Sequence, residues 1–104
     1  MFRECSSIIE FNFTNFDLSN CKYINQMFFG CSSLKSLDLS SFDTSLVTDM
    51  SDMFYGCKNL TSIDVSNFNT SFVKYINRMF YNCNSLKEID LSNFDTSSVI
   101  SMAN

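Results

Sequence analysis

Histidine, proline and tryptophan are absent from the 104 residues, and glycine occurs twice. Each absence excludes something. Without histidine the chain lacks the side chain that most often does acid–base work near neutral pH, and its many serines have no evident base. Without proline, and with so little glycine, no stretch reads as a flexible linker. Basic residues number seven against eleven acidic ones, a net charge of −4, and none of the seven cluster. That excludes the electrostatic footprint required by nucleic acid or an anionic membrane. No apolar run approaches the roughly 20 residues of a membrane span, so no membrane insertion is expected. The opening MFRECSSIIEF has no basic region followed by an apolar stretch, hence no signal peptide. A targeting segment, if the protein works outside the cell, is expected to lie upstream or to have been removed.

What is present is repetition. Met-Phe recurs at Met1-Phe2, Met27-Phe28, Met53-Phe54 and Met79-Phe80, and cysteine at Cys5, Cys31, Cys57 and Cys83, always 26 residues apart. The columns Ile8/Leu34/Leu60/Leu86, Phe11/Leu37/Ile63/Ile89, Phe13/Leu39/Val65/Leu91 and Phe16/Phe42/Phe68/Phe94 keep the same period. Self-similarity at such a period marks a repeat architecture whose units bury their apolar faces against one another. The division is into four units, 1–26, 27–52, 53–78 and 79–104, forming one domain. At this length every apolar column matters to stability.

Within a unit, Leu34-x-x-Leu37-x-Leu39 matches the opening of a leucine-rich repeat. Alternation around Leu37 and Leu39 predicts a short strand with these residues inward and Ser36, Asp38 and Ser40 outward. Phe42 stands where many such repeats bury an asparagine, so other groups must satisfy the loop backbone there. In the second half Val47, Met50, Met53, Phe54 and Cys57 fall on one face of a helix. Asp43-Thr44-Ser45 offers capping oxygens, and Gly30, Gly56 and Asn82 sit where a left-handed C-cap wants glycine or asparagine. The predicted fold is an α/β repeat: a right-handed leucine-rich-repeat-type solenoid with a parallel β-sheet on its concave face and short helices on its convex face.

The segments MFFGCSSLKSLDLSSFDTSLVTDM and MFYGCKNLTSIDVSNFNTSFV together resemble the BspA-like leucine-rich-repeat surface proteins over all four units. The resemblance implies a cell-surface or secreted protein that adheres to host or extracellular-matrix proteins, with no catalytic residues to carry over. The first unit departs from the pattern at Asn12, Leu18 and Cys21. Both ends of the chain fall inside a unit, which points to a longer array, a boundary placed within one, or open ends that stack on other copies.

The candidate binding surface is the strip Glu10/Asn12/Thr14, Ser36/Asp38/Ser40, Ser62/Asp64/Ser66 and Glu88/Asp90/Ser92, expected to line the concave face. Its acidic, hydroxyl-rich character favours a basic protein surface or a glycan. A hard cation held by Asp38, Asp64 and Asp90 is the sharper alternative to a solvated polar face. The cysteines read as buried free thiols: in-register columns strain a disulfide, and no C-x-x-C pair suggests zinc. No cofactor or metal is expected. Asn12, Asn59 and Asn69 head N-x-S/T triplets that so Asn/Ser/Thr-rich a chain produces by accident. Function is thus expected to be non-catalytic recognition, with a structural spacer or a self-assembling or intracellular scaffold as the alternative.

Overall fold

The computed structural model of the chain describes residues 17–100. Its core is built from the repeated columns. Leu34, Val47, Met50, Met53, Phe54, Cys57, Leu60 and Val73 are fully buried, and Leu39, Phe42, Val65 and Phe68 nearly so. Burial is deepest between residues 27 and 73 and fades toward the C-terminal end, where Phe94 is half-buried and Leu91 is exposed. Rings of successive units lie parallel: Phe28 on Phe54 at 5.5 Å and Phe54 on Phe80 at 5.3 Å, Phe29 on Tyr55 and Tyr55 on Tyr81, Phe42 on Phe68 and Phe68 on Phe94. The molecule measures 34 × 31 × 22 Å.

The secondary structure differs from the expectation. The described residues contain no helix and no extended strand; their only bridges are single-residue parallel ones, Tyr23 with Asp49 and Asp49 with Tyr75. The predicted leucine-rich-repeat-type solenoid, with its concave parallel sheet and convex helices, therefore does not form.

The reason lies in where the amides point. Along 24–31, alternate N–H groups close tight turns: Met27 to Ile24 O, Phe29 to Gln26 O and Cys31 to Phe28 O. The intervening amides reach across to the next unit: Ile24 to Asp49 O, Gln26 to Ser51 O, Phe28 to Met53 O and Gly30 to Tyr55 O. One unit on, Met50, Asp52, Phe54 and Gly56 repeat the pattern onto Tyr75, Asn77, Met79 and Tyr81. An α-helix spends every interior amide within its own segment; here half of them join units. Gln26, Asp52 and Arg78 adopt φ of 57°, 56° and 50°, which breaks any right-handed helical run.

Gly30, Gly56 and Asn82 are left-handed as expected, at φ 73°, 74° and 61°, although they close turns and not helices. A Cβ built on Gly56 meets only the Gly30 backbone, at 3.6 Å. Space is thus ample and the penalty for a side chain is the backbone conformation itself. Gly56→Asn is expected to cost well under 1 kcal/mol, whereas Gly56→Val costs about 1–2 kcal/mol more, read by urea melts. Equal losses would mean that crowding and not φ governs the position.

The predicted strand half keeps the expected alternation, with Leu37 and Leu39 buried and Ser36, Asp38 and Ser40 exposed, but forms no strand. It lacks a ladder because the aspartates withdraw the amides: Ser40 N donates to Asp38 Oδ1, Ser66 N to Asp64 Oδ1 and Ser92 N to Asp90 Oδ1. Side chains tie these loops together instead. Asn67 Nδ2 donates to Leu39, Ser40 and Phe42 carbonyls, and Asn93 Nδ2 to those of Val65, Ser66 and Phe68. An asparagine ladder thus exists one residue before the phenylalanine column.

Candidate functional site

The strip read from sequence is placed as follows. Ser36, Asp38, Ser40, Ser62, Asp64, Ser66, Glu88, Asp90 and Ser92 are all exposed, while Glu10, Asn12 and Thr14 lie outside the described residues. With no sheet, these residues lie on irregular segments that run into turns at Ser40, Ser66 and Ser92. Each aspartate is the acceptor of a local Asx turn. The Ser40 hydroxyl and then its amide hold the Asp38 carboxyl below the usual carboxylate range, and Ser66 and Ser92 do the same for Asp64 and Asp90. Asp38 and Asp90 oppose the effect at Asp64 as like charges. Among the described residues no three histidine, cysteine or acidic side chains converge as a metal site needs.

The structure assembles a second surface that the sequence reading missed. Lys22, Thr48, Lys74 and Ile100 form a column joined by Thr48 N to Lys22 O, Lys74 N to Thr48 O and Ile100 N to Lys74 O. Beside it, turns at 45–46 and 71–72 push Leu46 and Phe72 outward. Tyr23, Leu46, Phe72 and Tyr75 are 69%, 44%, 59% and 41% exposed. An open groove of about 490 Å³ runs between Lys22, Tyr23, Leu46, Thr48, Phe72 and Lys74. The signal was available: Leu46-Val47 and Phe72-Val73 are adjacent apolar pairs, and Val47 and Val73 fill the core, so each partner must face out.

The cysteine column has a definite role. Cys57 Sγ donates to Phe28 O at 3.2 Å and Cys83 Sγ to Phe54 O at 3.1 Å. Cys21, Cys31, Cys57 and Cys83 are free thiols. Burial pushes the Cys57 thiol up to about 12 and the Cys83 thiol up to about 11, so neither is a poised nucleophile. The third cluster is electrostatic. Asp52, buried, lies 3.0 Å from Arg78 Nε through Oδ1 and accepts from Arg78 Nη2 through Oδ2 at 3.1 Å. The Oδ1 contact is an ion pair and not a well-angled hydrogen bond. Gln26 Nε2 approaches the same carboxylate weakly at 3.5 Å, and the guanidinium sits 5.5 Å from the Tyr55 ring centre. The pair clamps neighbouring units at their left-handed positions.

These groups set the pH response. The lowered Asp38, Asp64 and Asp90 values stabilise the fold above the ordinary carboxylate value, a contribution lost as pH falls through the folded values. A raised thiol pKa acts oppositely: the Cys57 contribution is complete below its unfolded value near 9.0 and is lost as pH rises toward about 12. Melting temperature is expected to fall in acid below the ordinary carboxylate value of 3.8 and in alkali above pH 9.0, with a shallower alkaline fall in Cys57→Ala. An identical alkaline limb in the variant contradicts the burial of this thiol.

A stack of 26-residue units with polar turns on one surface and an apolar groove on another defines a tandem-repeat protein whose accessible features are surfaces. The chain belongs to the family described as "Mycoplasma protein of unknown function, DUF285", whose model matches residues 1–104. No curated protein and no solved structure matches the chain.

Proposed function

We propose that the chain is a non-catalytic protein-recognition module of a cell-surface or secreted protein, adhering to an extracellular or host protein. One observation carries the reading: Leu46, Phe72 and Tyr23, all exposed, gather around an open groove flanked by Lys22 and Lys74. Adjacent exposed aromatic and aliphatic side chains with a charged rim are the usual anchors of a protein interface. The two lysines give an otherwise acidic chain a local positive edge, which suits an acidic partner surface. The BspA-like resemblance of the repeats supports the same adhesive role. The Cys57 and Cys83 thiols are engaged with carbonyls and the Asp38 and Asp64 carboxylates with turn amides, which supports a non-enzymatic reading.

Biolayer interferometry against immobilised extracellular-matrix proteins tests the proposal. Phe72→Ala is expected to weaken binding by about tenfold or more, and paired Lys22→Glu and Lys74→Glu to slow association most at low salt. Binding equal to wild type in both variants would move recognition elsewhere. The exposed Asp/Ser strip is the second surface, favoured by the outward placement of all nine of its described residues; charge reversal by Asp64→Lys then weakens binding at low salt.

A further inference from the structure

Lys22, Thr48 and Lys74 occupy one column on the flank of the stack, joined by Thr48 N to Lys22 O and Lys74 N to Thr48 O, each at 2.8 Å. The Thr48 hydroxyl also donates to Lys22 O, at 3.1 Å. Among the described residues neither lysine has an ion-pair partner; the one pair there joins Arg78 to Asp52. Asp49, the acidic residue next to Thr48, gives Oδ1 to the Ser51 amide. Two uncompensated cations thus stand on a chain of net charge −4, lining a groove of about 490 Å³ together with Tyr23, Leu46 and Phe72. Leu46 and Phe72 have described residues of their own column on both sides, Asn20 before and Ser98 after. Their exposure therefore belongs to the flank of the stack.

Spacing narrows what can lie there. Backbones that exchange hydrogen bonds in this way run about 4.8 Å apart, which sets Lys22 and Lys74, two units apart, at about 10 Å. A polyproline-II strand presents the same face every third residue, about 9 Å along its axis. A β-strand repeats its face at about 7 Å, short of that separation. Exposed rings beside the column are the usual seat of such a proline-rich strand, which is extended before it binds and loses little freedom on docking. Two lysines on an otherwise acidic chain suit two carboxylates and not the long charge run of a polyanion. Building on the recognition role above, we propose that the groove receives an extended, proline-rich segment of a partner protein with acidic residues at i and i+3. One carboxylate meets Lys22 and the other Lys74, and the residues between them pack on Leu46 and Phe72.

Fluorescence anisotropy with labelled synthetic peptides and the 104-residue chain tests it. A proline-rich peptide with glutamates at i and i+3 is expected to bind about tenfold more tightly than its isomer with glutamates at i and i+2, and lysines in place of the glutamates abolish binding. The double variant Lys22→Glu/Lys74→Glu loses the glutamate peptide and gains the lysine peptide, a reversal that misfolding does not produce. Equal affinity for the i, i+2 isomer, or for a helical peptide with glutamates at i and i+7, overturns the proposal, as does a preference for heparin over every peptide. Absence of peptide binding while Phe72→Ala still weakens matrix-protein binding overturns this occupant and leaves the recognition role standing. Absence of peptide binding together with matrix-protein binding indifferent to Phe72→Ala overturns both.

Discussion

Phe54→Ala is expected to destabilise the protein by about 3–5 kcal/mol, a large share of the roughly 5–15 kcal/mol that holds a domain of this size together. Phe54 is fully buried, and its ring lies nearly parallel to Phe28 on one side and Phe80 on the other, at 5.5 and 5.3 Å. Removing it deletes transfer free energy, leaves a cavity and breaks two ring contacts worth about 0.5–1.5 kcal/mol each. Collapse into the void is hindered, because the Phe54 amide is tied to Met79 O and its carbonyl receives the Cys83 thiol. That places the expected loss toward the upper end. Phe80→Ala provides the internal control: the residue is half-buried and stacks on Phe54 at the open end, so about 1–2 kcal/mol is expected. Urea melts of both variants decide the matter. Equal losses, or a Phe54→Ala loss below about 2 kcal/mol, would mean that the ring column is not the centre of the fold.

The same columns show how far the fold was legible. The period and the inward residues follow from apolar spacing, because burial is a property of a column whatever backbone carries it. The backbone itself was misread for a physical reason. Val47, Met50, Met53, Phe54 and Cys57 fit a helical face, yet a run of tight turns that sends alternate amides to the next unit buries the same positions. What separates the two is the left-handed residue at Gln26, Asp52 and Arg78. These three side chains share neither charge nor size, and none of them advertises positive φ as glycine does at Gly30 and Gly56. The strand half failed for a local reason: Asp38, Asp64 and Asp90 each capture the amide two residues on, an arrangement that a pattern of alternating burial does not register.

The surfaces were legible to a lesser degree. Outward placement of the Asp/Ser strip followed from alternation, but the local turn duty of its carboxylates did not. The groove at Leu46 and Phe72 was hidden because the reading assigned apolar residues to the core and let their neighbours pass. Loop satisfaction was anticipated only as a need: with phenylalanine in the expected asparagine column, other groups had to bind the carbonyls. Asn67 and Asn93 do so from the adjacent position. In the unit before them that position is Ser41, too short to span three carbonyls as an amide does, so the ladder could not be seen as a full column.

The threonine column carries the second large effect. Thr70 is buried, and its Oγ1 donates to Asp95 O at 3.2 Å while accepting from Asp95 N at 2.8 Å. Thr44 makes the same pair with Asn69. One hydroxyl thus satisfies both backbone groups of a residue one unit on. Thr70→Val keeps the shape and removes both bonds, leaving an N–H and a C=O to find water at the edge of the core. Each lost bond is worth about 1 kcal/mol net, and more where the orphaned group stays dry, so the expected loss is about 2–4 kcal/mol. Thr70→Ser, which keeps the hydroxyl and loses a methyl, is expected to lose only about 1 kcal/mol. If valine is tolerated better than serine, the column works by packing and the hydrogen bonds are incidental. Nature supplies the converse case in the first described unit, where Leu18 fills the column, buried, and offers Asp43 no hydroxyl. Leu18→Thr creates the missing pair at the expense of apolar volume. Its effect on stability should therefore be far smaller than that of Thr70→Val, because the new bonds and the lost burial oppose each other at one site.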